Sequence, residues 1–245
     1  MLRPALSRLV ATCLLTACLA ASAGAQDSAG GTRAVVELFT SQGCSSCPPA
    51  DALLTDLAER SDVVALAYHV DYWDYIGWED TFGAKGFSDR QRDYAKSWGS
   101  SRIFTPQMVI NGAKGVVGSK RNLVQSEVAN AHLPVAVAVT RKDDVLTVAV
   151  PGLEGQGNAT VWLVTYIDQA HVAIERGENA GKTMVYTHVV TGRQLLGAWE
   201  AEEGASFKLP LQQVLSQPGS GLAILVQQDR QNLPGTIIGA AAYEP

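Results

Sequence analysis

The chain has 245 residues, of which 47% are apolar and 18% charged, and its formal net charge is −5. The apolar fraction supports a globular core, and the length suits one domain or two smaller ones. The acidic balance and the lack of any basic run in the sequence argue against a nucleic-acid partner. After residue 25, no apolar stretch of the sequence is long enough to span a bilayer.

Residues 1–25 carry the pattern of a secretory signal peptide. Two arginines precede an apolar run at residues 9–19, and the small residues 23–25 form a cleavage site. Residues 15–18 also resemble a bacterial lipoprotein box, which would attach the chain to a membrane through a lipid on Cys18. Both interpretations predict export, so we expect a periplasmic or secreted protein. Cleavage after residue 25 would lower the basic count from 19 to 17 against 24 acidic residues, a net charge near −7.

Two strands and a helix are predicted at the start of the mature chain. Residues 35–39 form an apolar run, broken by Glu37, that indicates a strand. Apolar residues recur at helical spacing over residues 50–60, and residues 63–70 form a second, nearly all-apolar strand. A continuously apolar strand indicates burial on both faces, as in a parallel sheet that is covered by helices.

Cys44 and Cys47 lie in the turn between the first strand and the first helix. Their spacing lets the two sulfurs form a reversible disulfide, and a helix N-terminus favours a thiolate because its free N–H groups carry positive potential. A permanent disulfide across so short a loop would stabilise the fold little, which favours a redox role. We expect Cys44 to be the more exposed, attacking sulfur and Cys47 to resolve the mixed disulfide.

An aromatic and acidic segment follows the second strand at residues 71–82. Three of the five tryptophans lie between Trp73 and Trp98, close to the cysteine turn in the predicted order of elements. We therefore predict that this segment forms a substrate-binding wall that includes Tyr72 and Trp73. A helix with a capping box is predicted next, at residues 88–97.

The first half of the chain closes with a hairpin and a helix. Pro106 suits the start of a strand, and Asn111-Gly112 is a strong hairpin turn signal. Residues 116–118 would form the returning strand, and residues 120–131 the closing helix. The predicted order of elements is β-α-β-α-β-β-α.

From residue 133 onward, short apolar runs alternate with glycines and polar turns, which indicates antiparallel strands. These strands are predicted at residues 135–140, 145–150, 161–167, 184–190, 207–211, 222–228 and 237–243. The sequence thus predicts an α/β domain at residues 34–132. It also predicts a mostly antiparallel, β-sandwich-like region at residues 133–245.

The element order, the cysteine turn and the proline before a later strand resemble the thioredoxin superfamily. Within that superfamily, the chain resembles a secreted bacterial family catalogued as domain of unknown function 1223. Four stretches carry this resemblance: VELFTSQGCSSCPPAD at residues 36–51, HVDYWD at residues 69–74, TPQM at residues 105–108 and GEN at residues 177–179. The resemblance implies a thioredoxin-like fold for the first domain and brings no settled activity with it.

The superfamily resemblance also implies roles for three further residues. It implies a cis peptide bond before Pro106, which would leave the backbone of Thr105 free to pair with an extended substrate. It further implies that Glu37, seven residues before Cys44, is a buried acid that accepts protons.

Together these features favour an exported thiol-disulfide oxidoreductase that acts on protein or small-molecule thiols and disulfides. Cys44, Cys47 and Glu37 would be its catalytic residues, and no cofactor is expected. An alternative is a binding or assembly module in which the disulfide is static. A third interpretation is a periplasmic copper-handling protein in which His69 joins the two cysteines, since soft thiolates suit Cu(I).

Overall fold

The computed structural model describes residues 31–215 and 219–245, so the predicted signal peptide and lipoprotein box lie outside the described residues. The described residues form strands β1 (Ala34–Thr40), β2 (Val63–His69), β3 (Gln107–Ile110), β4 (Lys114–Val117), β5 (Ala138–Lys142), β6 (Val145–Val150), β7 (Ala159–Ala173), β8 (Thr183–Trp199), β9 (Ala205–Pro210), β10 (Ser220–Arg230) and β11 (Leu233–Tyr243). The helices are α1 (Pro48–Ala58), α2 (Lys85–Ser97), α3 (Arg121–Ala129) and α4 (Leu211–Val214). None of these helices has the length and apolar character needed to cross a membrane.

The strands form one large sheet and one small sheet. The large sheet has eight strands in the order β11-β10-β7-β8-β2-β1-β3-β4, and the small sheet has the order β5-β6-β9. β1 and β2 are parallel and paired along their whole length, so that Thr40 lies opposite His69. β8 joins the other side of β2 through a parallel pair between Ala67 and Val189.

The predicted fold class, a thioredoxin-like α/β domain followed by a β-sandwich-like region, is wrong. Strands from both halves of the chain form one continuous, mixed sheet, because β8 lies beside β2. A separate first domain would leave the edge of β2 with unpaired N–H and C=O groups, and β8 covers part of that edge. The boundary between residues 132 and 133 stays a prediction.

The alternation of side chains along β1 decides which residues reach each face of the large sheet. Val36 and Leu38 pack with the apolar residues of α1 in a cluster on one face. Val35 and Phe39 pack with Tyr94 of α2 in a cluster on the opposite face. A third apolar cluster fills the space between the small sheet and strands β7, β10 and β11.

Glu37 faces α2 and is completely buried there in an ion pair. Its carboxylate lies 2.7 Å from the guanidinium of Arg90 and also accepts a hydrogen bond from the Tyr94 hydroxyl. Burial raises the pKa of Tyr94 well above its usual value, which keeps this hydroxyl protonated. The amide of Gln227 on β10 donates to the Tyr94 hydroxyl at 2.8 Å. The network therefore connects β1, α2 and β10 away from water.

We expect Glu37→Gln to lower the free energy of unfolding by about 3–5 kcal/mol, because it leaves the buried Arg90 cation without its counter-charge. Urea unfolding followed by tryptophan fluorescence measures the difference. Glu127→Gln is the control, since its partner Lys114 is an exposed cation and the loss there should stay below about 1 kcal/mol. Equal losses of unfolding free energy in the two variants would show that the buried ion pair stabilises the fold no more than the exposed one.

Candidate functional site

Cys44 and Cys47 form a disulfide in the loop between β1 and α1, with their Cα atoms 5.4 Å apart. Cys47 is the N-cap residue of α1, and Pro48 is the first helical residue. Proline is well suited to this position because the first N–H groups of a helix have no partner within the helix. The sequence thus places the second sulfur directly at the positive end of α1.

Both cysteines are buried, with 1% exposure for Cys44 and 0% for Cys47. The expectation that Cys44 is the more exposed sulfur is therefore not met, and Ser45 and Ser46 between them form the exposed part of the loop. Ser46 Oγ lies 3.4 Å from Cys44 Sγ. Direct attack on either sulfur therefore requires the residues that bury the loop to move.

Asn179, in the turn between β7 and β8, is one of the residues that contact this loop. Its side-chain amide donates to the carbonyl oxygens of Gln42 at 2.9 Å and Cys44 at 3.0 Å. Asn179 is itself 1% exposed, and its Oδ1 accepts a hydrogen bond from Lys182. The turn of the hairpin is thereby fastened to the backbone on both sides of Gly43.

The predicted substrate-binding residues lie next to the cysteine loop. The Thr105–Pro106 peptide bond is cis, as the resemblance implied. Trp73 Nε1 donates a hydrogen bond of 2.8 Å to Thr105 Oγ1, and Ser46 Oγ lies 3.5 Å from the Thr105 carbonyl oxygen. The structure therefore brings Trp73, Thr105 and Ser46 together beside Cys44. The role of Trp73 and Thr105 in binding a substrate stays a prediction.

Tyr72 lies one layer further from the cysteines. Its hydroxyl donates to Gln91 Oε1 at 3.0 Å, and Gln91 in turn donates to the Phe104 carbonyl at 2.8 Å. Burial raises the pKa of Tyr72 to about 12, so the phenol is a hydrogen-bond donor and not an acid at neutral pH. Tyr72 thus supports the segment that carries Thr105.

Glu37, the predicted proton acceptor, is not brought to the cysteines. Its side chain points to the α2 face of the large sheet, whereas α1 and the residue that caps it lie on the opposite face. The ion pair with Arg90 also holds Glu37 in place there. The strand alternation explains the difference, because successive side chains of β1 point to opposite faces.

A different acid, Asp51, lies on the cysteine side of the sheet. Asp51 follows Cys47 by one helical turn, and its N–H donates to the Cys47 carbonyl at 3.1 Å. Cys47 has helical backbone angles, and residues four apart on a helix share a face, so the spacing places Asp51 on the same face as Cys47. Asp51 Oδ1 accepts a hydrogen bond of 2.7 Å from Thr40, and Oδ2 finds no partner in the described part of the chain. Burial raises the pKa of Asp51 to about 7.

His69 pairs with a second buried acid, Asp80, through a hydrogen bond of 2.8 Å from Nδ1. The backbone N–H groups of Gln42 and Phe82 also donate to Asp80, at 2.7 and 2.9 Å. Burial opposes ionisation of Asp80, but the His69 charge and these hydrogen bonds hold its pKa below the usual value. An ionised carboxylate can only accept this hydrogen bond, so His69 Nδ1 carries a proton.

Three buried polar atoms near Asp51 lack hydrogen-bond partners within residues 31–215 and 219–245: Asp51 Oδ2, His69 Nε2 and the Tyr186 hydroxyl. The His69 and Tyr186 rings pack edge to face, with centroids 4.6 Å apart. Burial, with the Asp51 and Asp80 charges, raises the pKa of Tyr186. Over the same residues, His69 and the two cysteines, which are joined in a disulfide, do not form a group whose ligand atoms lie within 4.8 Å of one another, and a shared copper site stays a prediction.

Sequence reasoning missed Asp51, Asp80 and Asn179. Asp51 had a usable signal, because it is a polar residue within the buried, otherwise apolar face of α1. The GEN stretch at residues 177–179 carried part of the family resemblance, but nothing local to it indicated a contact with Cys44.

Comparisons with other proteins give a family and a fold. Residues 35–227 match the family model described as "Protein of unknown function (DUF1223)". The chain is also similar to a protein from Agrobacterium tumefaciens with an X-ray crystal structure, at 32% sequence identity and a TM-score of 0.77. This match covers 87% of the present chain and 94% of that chain. A search among curated proteins gave no match.

The raised pKa of Asp51 predicts a pH dependence of stability. The unfolded chain releases this proton near the ordinary pKa of 3.8, whereas the folded chain holds it to about pH 7. The folded state binds more protons between these values, so this contribution to stability is lost as the pH rises from about 4 to about 7. The slope is at most about 1.4 kcal/mol per pH unit. Above about pH 7 no further loss is expected from this group.

Asp51→Asn removes this contribution and keeps a polar partner for Thr40. Urea unfolding of the oxidised proteins between about pH 4 and pH 8 should show the variant gaining stability relative to wild type as the pH rises. Asp56→Asn is the control, since Asp56 lies on the same helix in an exposed salt bridge with Arg121. Parallel stability curves for wild type and Asp51→Asn would show that Asp51 titrates normally.

Proposed function

The chain belongs to the DUF1223 family, and from its site we propose that it is a thiol-disulfide oxidoreductase that uses Cys44 and Cys47. One observation carries the proposal: a C-x-x-C disulfide at a helix N-terminus shares a helix face with a buried carboxyl group that titrates near neutral pH. Buried groups with perturbed pKa values cluster at functional sites, which favours a catalytic role for the neighbouring disulfide. The substrate class is a protein or small-molecule thiol or disulfide, and we place the protein in the periplasm or outside the cell.

The proposed reaction begins when a substrate thiolate attacks Cys44 Sγ. A mixed disulfide forms, the Cys44–Cys47 bond breaks, and Cys47 leaves as a thiolate. Protonated Asp51 supplies the proton that Cys47 takes up, since it is the titratable neighbour on the same helix face. A second substrate thiolate then attacks the substrate sulfur and expels Cys44. The substrate pair loses two electrons, and the Cys44–Cys47 pair gains them; the reverse sequence oxidises the enzyme.

The direction of approach follows from the exposed groups around the buried disulfide. Ser45 and Ser46 are exposed, and Thr105 and Trp73 are half-buried next to them. A substrate that reaches Cys44 along Ser46 would meet the Thr105 backbone and the Trp73 ring. Oxidoreductases of this kind need such a surface because exchange requires the three sulfur atoms to be held in line.

The burial of both sulfurs favours a second candidate function, a binding or assembly module with a static disulfide. In that case Asn179 would fasten the loop permanently, and partner binding would not depend on the redox state. The two candidates differ in the reduction potential of the pair. Catalytic pairs fall roughly between −270 and −120 mV, and structural disulfides fall below about −300 mV.

We expect the two cysteine variants to behave differently if the pair is catalytic. Cys47→Ser should capture a disulfide-containing peptide as a stable mixed disulfide through Cys44, because the resolving thiol is missing. Cys44→Ser should capture roughly ten-fold less, since Cys44 lies beside the exposed Ser46 on the proposed path of approach. Intact-mass spectrometry after alkylation measures the adduct, and equilibration in glutathione buffers measures the wild-type potential. Equal capture by both variants, with a potential below about −300 mV, would favour the static disulfide.

Asn179→Ala tests whether the hairpin limits access to Cys44. The variant loses the two hydrogen bonds to the Gln42 and Cys44 carbonyls, so we expect the disulfide to be reduced several-fold faster by dithiothreitol. Quenched alkylation at successive times measures the rate. Glu178→Ala is the matched control, because it truncates the exposed neighbour in the same turn. An unchanged rate in Asn179→Ala would show that other residues that bury the loop control access.

A further inference from the structure

A second cluster of titratable groups lies at the opposite end of the parallel strands from the disulfide. Asp168 on β7 and His188 on β8 face each other across the hairpin ladder, and Glu244 follows β11. Their ligand atoms all lie within 4.8 Å of one another. Nothing in the proposed redox chemistry uses these residues.

The distances within the cluster are longer than those of ordinary hydrogen bonds. His188 Nε2 lies 3.5 Å from Asp168 Oδ1 and 3.4 Å from Glu244 Oε1. An N–H···O hydrogen bond has a separation of about 2.7–3.2 Å. Two ligands of a tetrahedral ion with bonds of roughly 2.0–2.2 Å lie about 3.3–3.6 Å apart. The cluster therefore has the spacing of ligands around a metal ion.

The second nitrogen of His188 is held by the backbone. Nδ1 lies 2.9 Å from the Ala65 carbonyl oxygen, and a carbonyl can only accept, so Nδ1 carries the proton. A neutral His188 then presents the lone pair of Nε2 to two carboxylates. Metal-binding histidines are commonly oriented in this way by a backbone carbonyl on the other nitrogen. Three electron-pair donors thus converge on one point.

The residues around the cluster reinforce this arrangement. His188 has a φ of +49°, a left-handed backbone conformation that non-glycine residues seldom adopt. The residue is only 8% exposed. The Tyr166 hydroxyl donates to Glu244 Oε1 at 3.2 Å, which orients that carboxylate. The fold therefore holds the imidazole and one of the two carboxylates in defined positions.

We propose that Asp168, His188 and Glu244 bind a divalent transition-metal ion, and that Zn²⁺ is the best match. One imidazole nitrogen with two carboxylate oxygens suits Zn²⁺, whereas the lack of thiolates in the cluster disfavours Cu(I). Three protein ligands leave one position of a tetrahedral ion open. A cavity of about 700 Å³, lined by Tyr166, His188 and Glu244 among others, lies on this side and gives room for water or a small ligand.

The competing explanation is a protonated His188 that forms an ion pair with both carboxylates. The two explanations differ in their response to added metal. The wild-type protein is used with its disulfide closed, so that Cys44 and Cys47 cannot bind the ion. Zn²⁺ is titrated in competition with a chromophoric chelator, which reports affinity and stoichiometry. We expect one Zn²⁺ per chain.

Glu244→Gln and Asp168→Asn should each weaken Zn²⁺ binding by about ten-fold to 100-fold. Each substitution removes one carboxylate ligand and keeps the size of the side chain. Both carboxylates are exposed, so the variants should fold normally. Glu154→Gln is the control, since it removes one exposed carboxylate outside the cluster and should bind like wild type. His188→Asn removes the imidazole at a position where asparagine tolerates the positive φ, and it should also weaken Zn²⁺ binding.

Co²⁺ provides a second readout through its visible absorption bands, which should appear in wild type and vanish in Glu244→Gln. Zn²⁺ should also raise the unfolding temperature of wild type and leave that of Glu244→Gln unchanged. Wild-type protein that fails to bind one Zn²⁺ per chain would overturn the proposal. So would unchanged affinity in both Glu244→Gln and Asp168→Asn, which would leave only the protonated ion pair.

Discussion

The parallel pairing of β1 and β2 is the constraint on which the candidate site depends. Because the two strands run in the same direction, their carboxyl ends meet at one edge of the sheet, with Thr40 opposite His69. The cysteine loop leaves this edge from β1, and the aromatic segment leaves it from β2. Asp51 then reaches Thr40, and Asp80 reaches His69. Each contact follows from two chain segments that start side by side.

The parts of the fold that rest on neighbouring residues could be predicted from the sequence. The strand predicted at residues 63–70 lies at Val63–His69, and the Cys44–Cys47 disulfide forms at the predicted spacing. The fold class could not be predicted, because the pairing of β2 with β8 brings together Ala67 and Val189. An apolar strand can pair favourably with many other strands, so the local sequence does not determine which strand becomes its neighbour in the sheet.

The candidate site also combines features that are local in the sequence with contacts that depend on distant parts of the chain. Strand alternation already separates Glu37 from the side of β1 that α1 covers, and the polar Asp51 interrupts an apolar helix face. Both facts are local and were available in the sequence. The position of Asn179 depends instead on a hairpin longer than its apolar runs suggested. The predicted strands end at residue 167 and resume at residue 184, whereas β7 and β8 continue through polar, exposed residues to Ala173 and from Thr183.

The β7–β8 hairpin is long enough to contact two distant regions of the protein. Its turn carries Asn179, which contacts the disulfide loop, and its two strands carry Asp168 and His188, which belong to the cluster at the far end of the sheet. If a ligand at one end of the hairpin changes the stability of the contacts at the other end, thermodynamic reciprocity makes the reverse effect equal in free energy. A single two-stranded ribbon thus contacts both the disulfide loop and the Asp168–His188–Glu244 cluster.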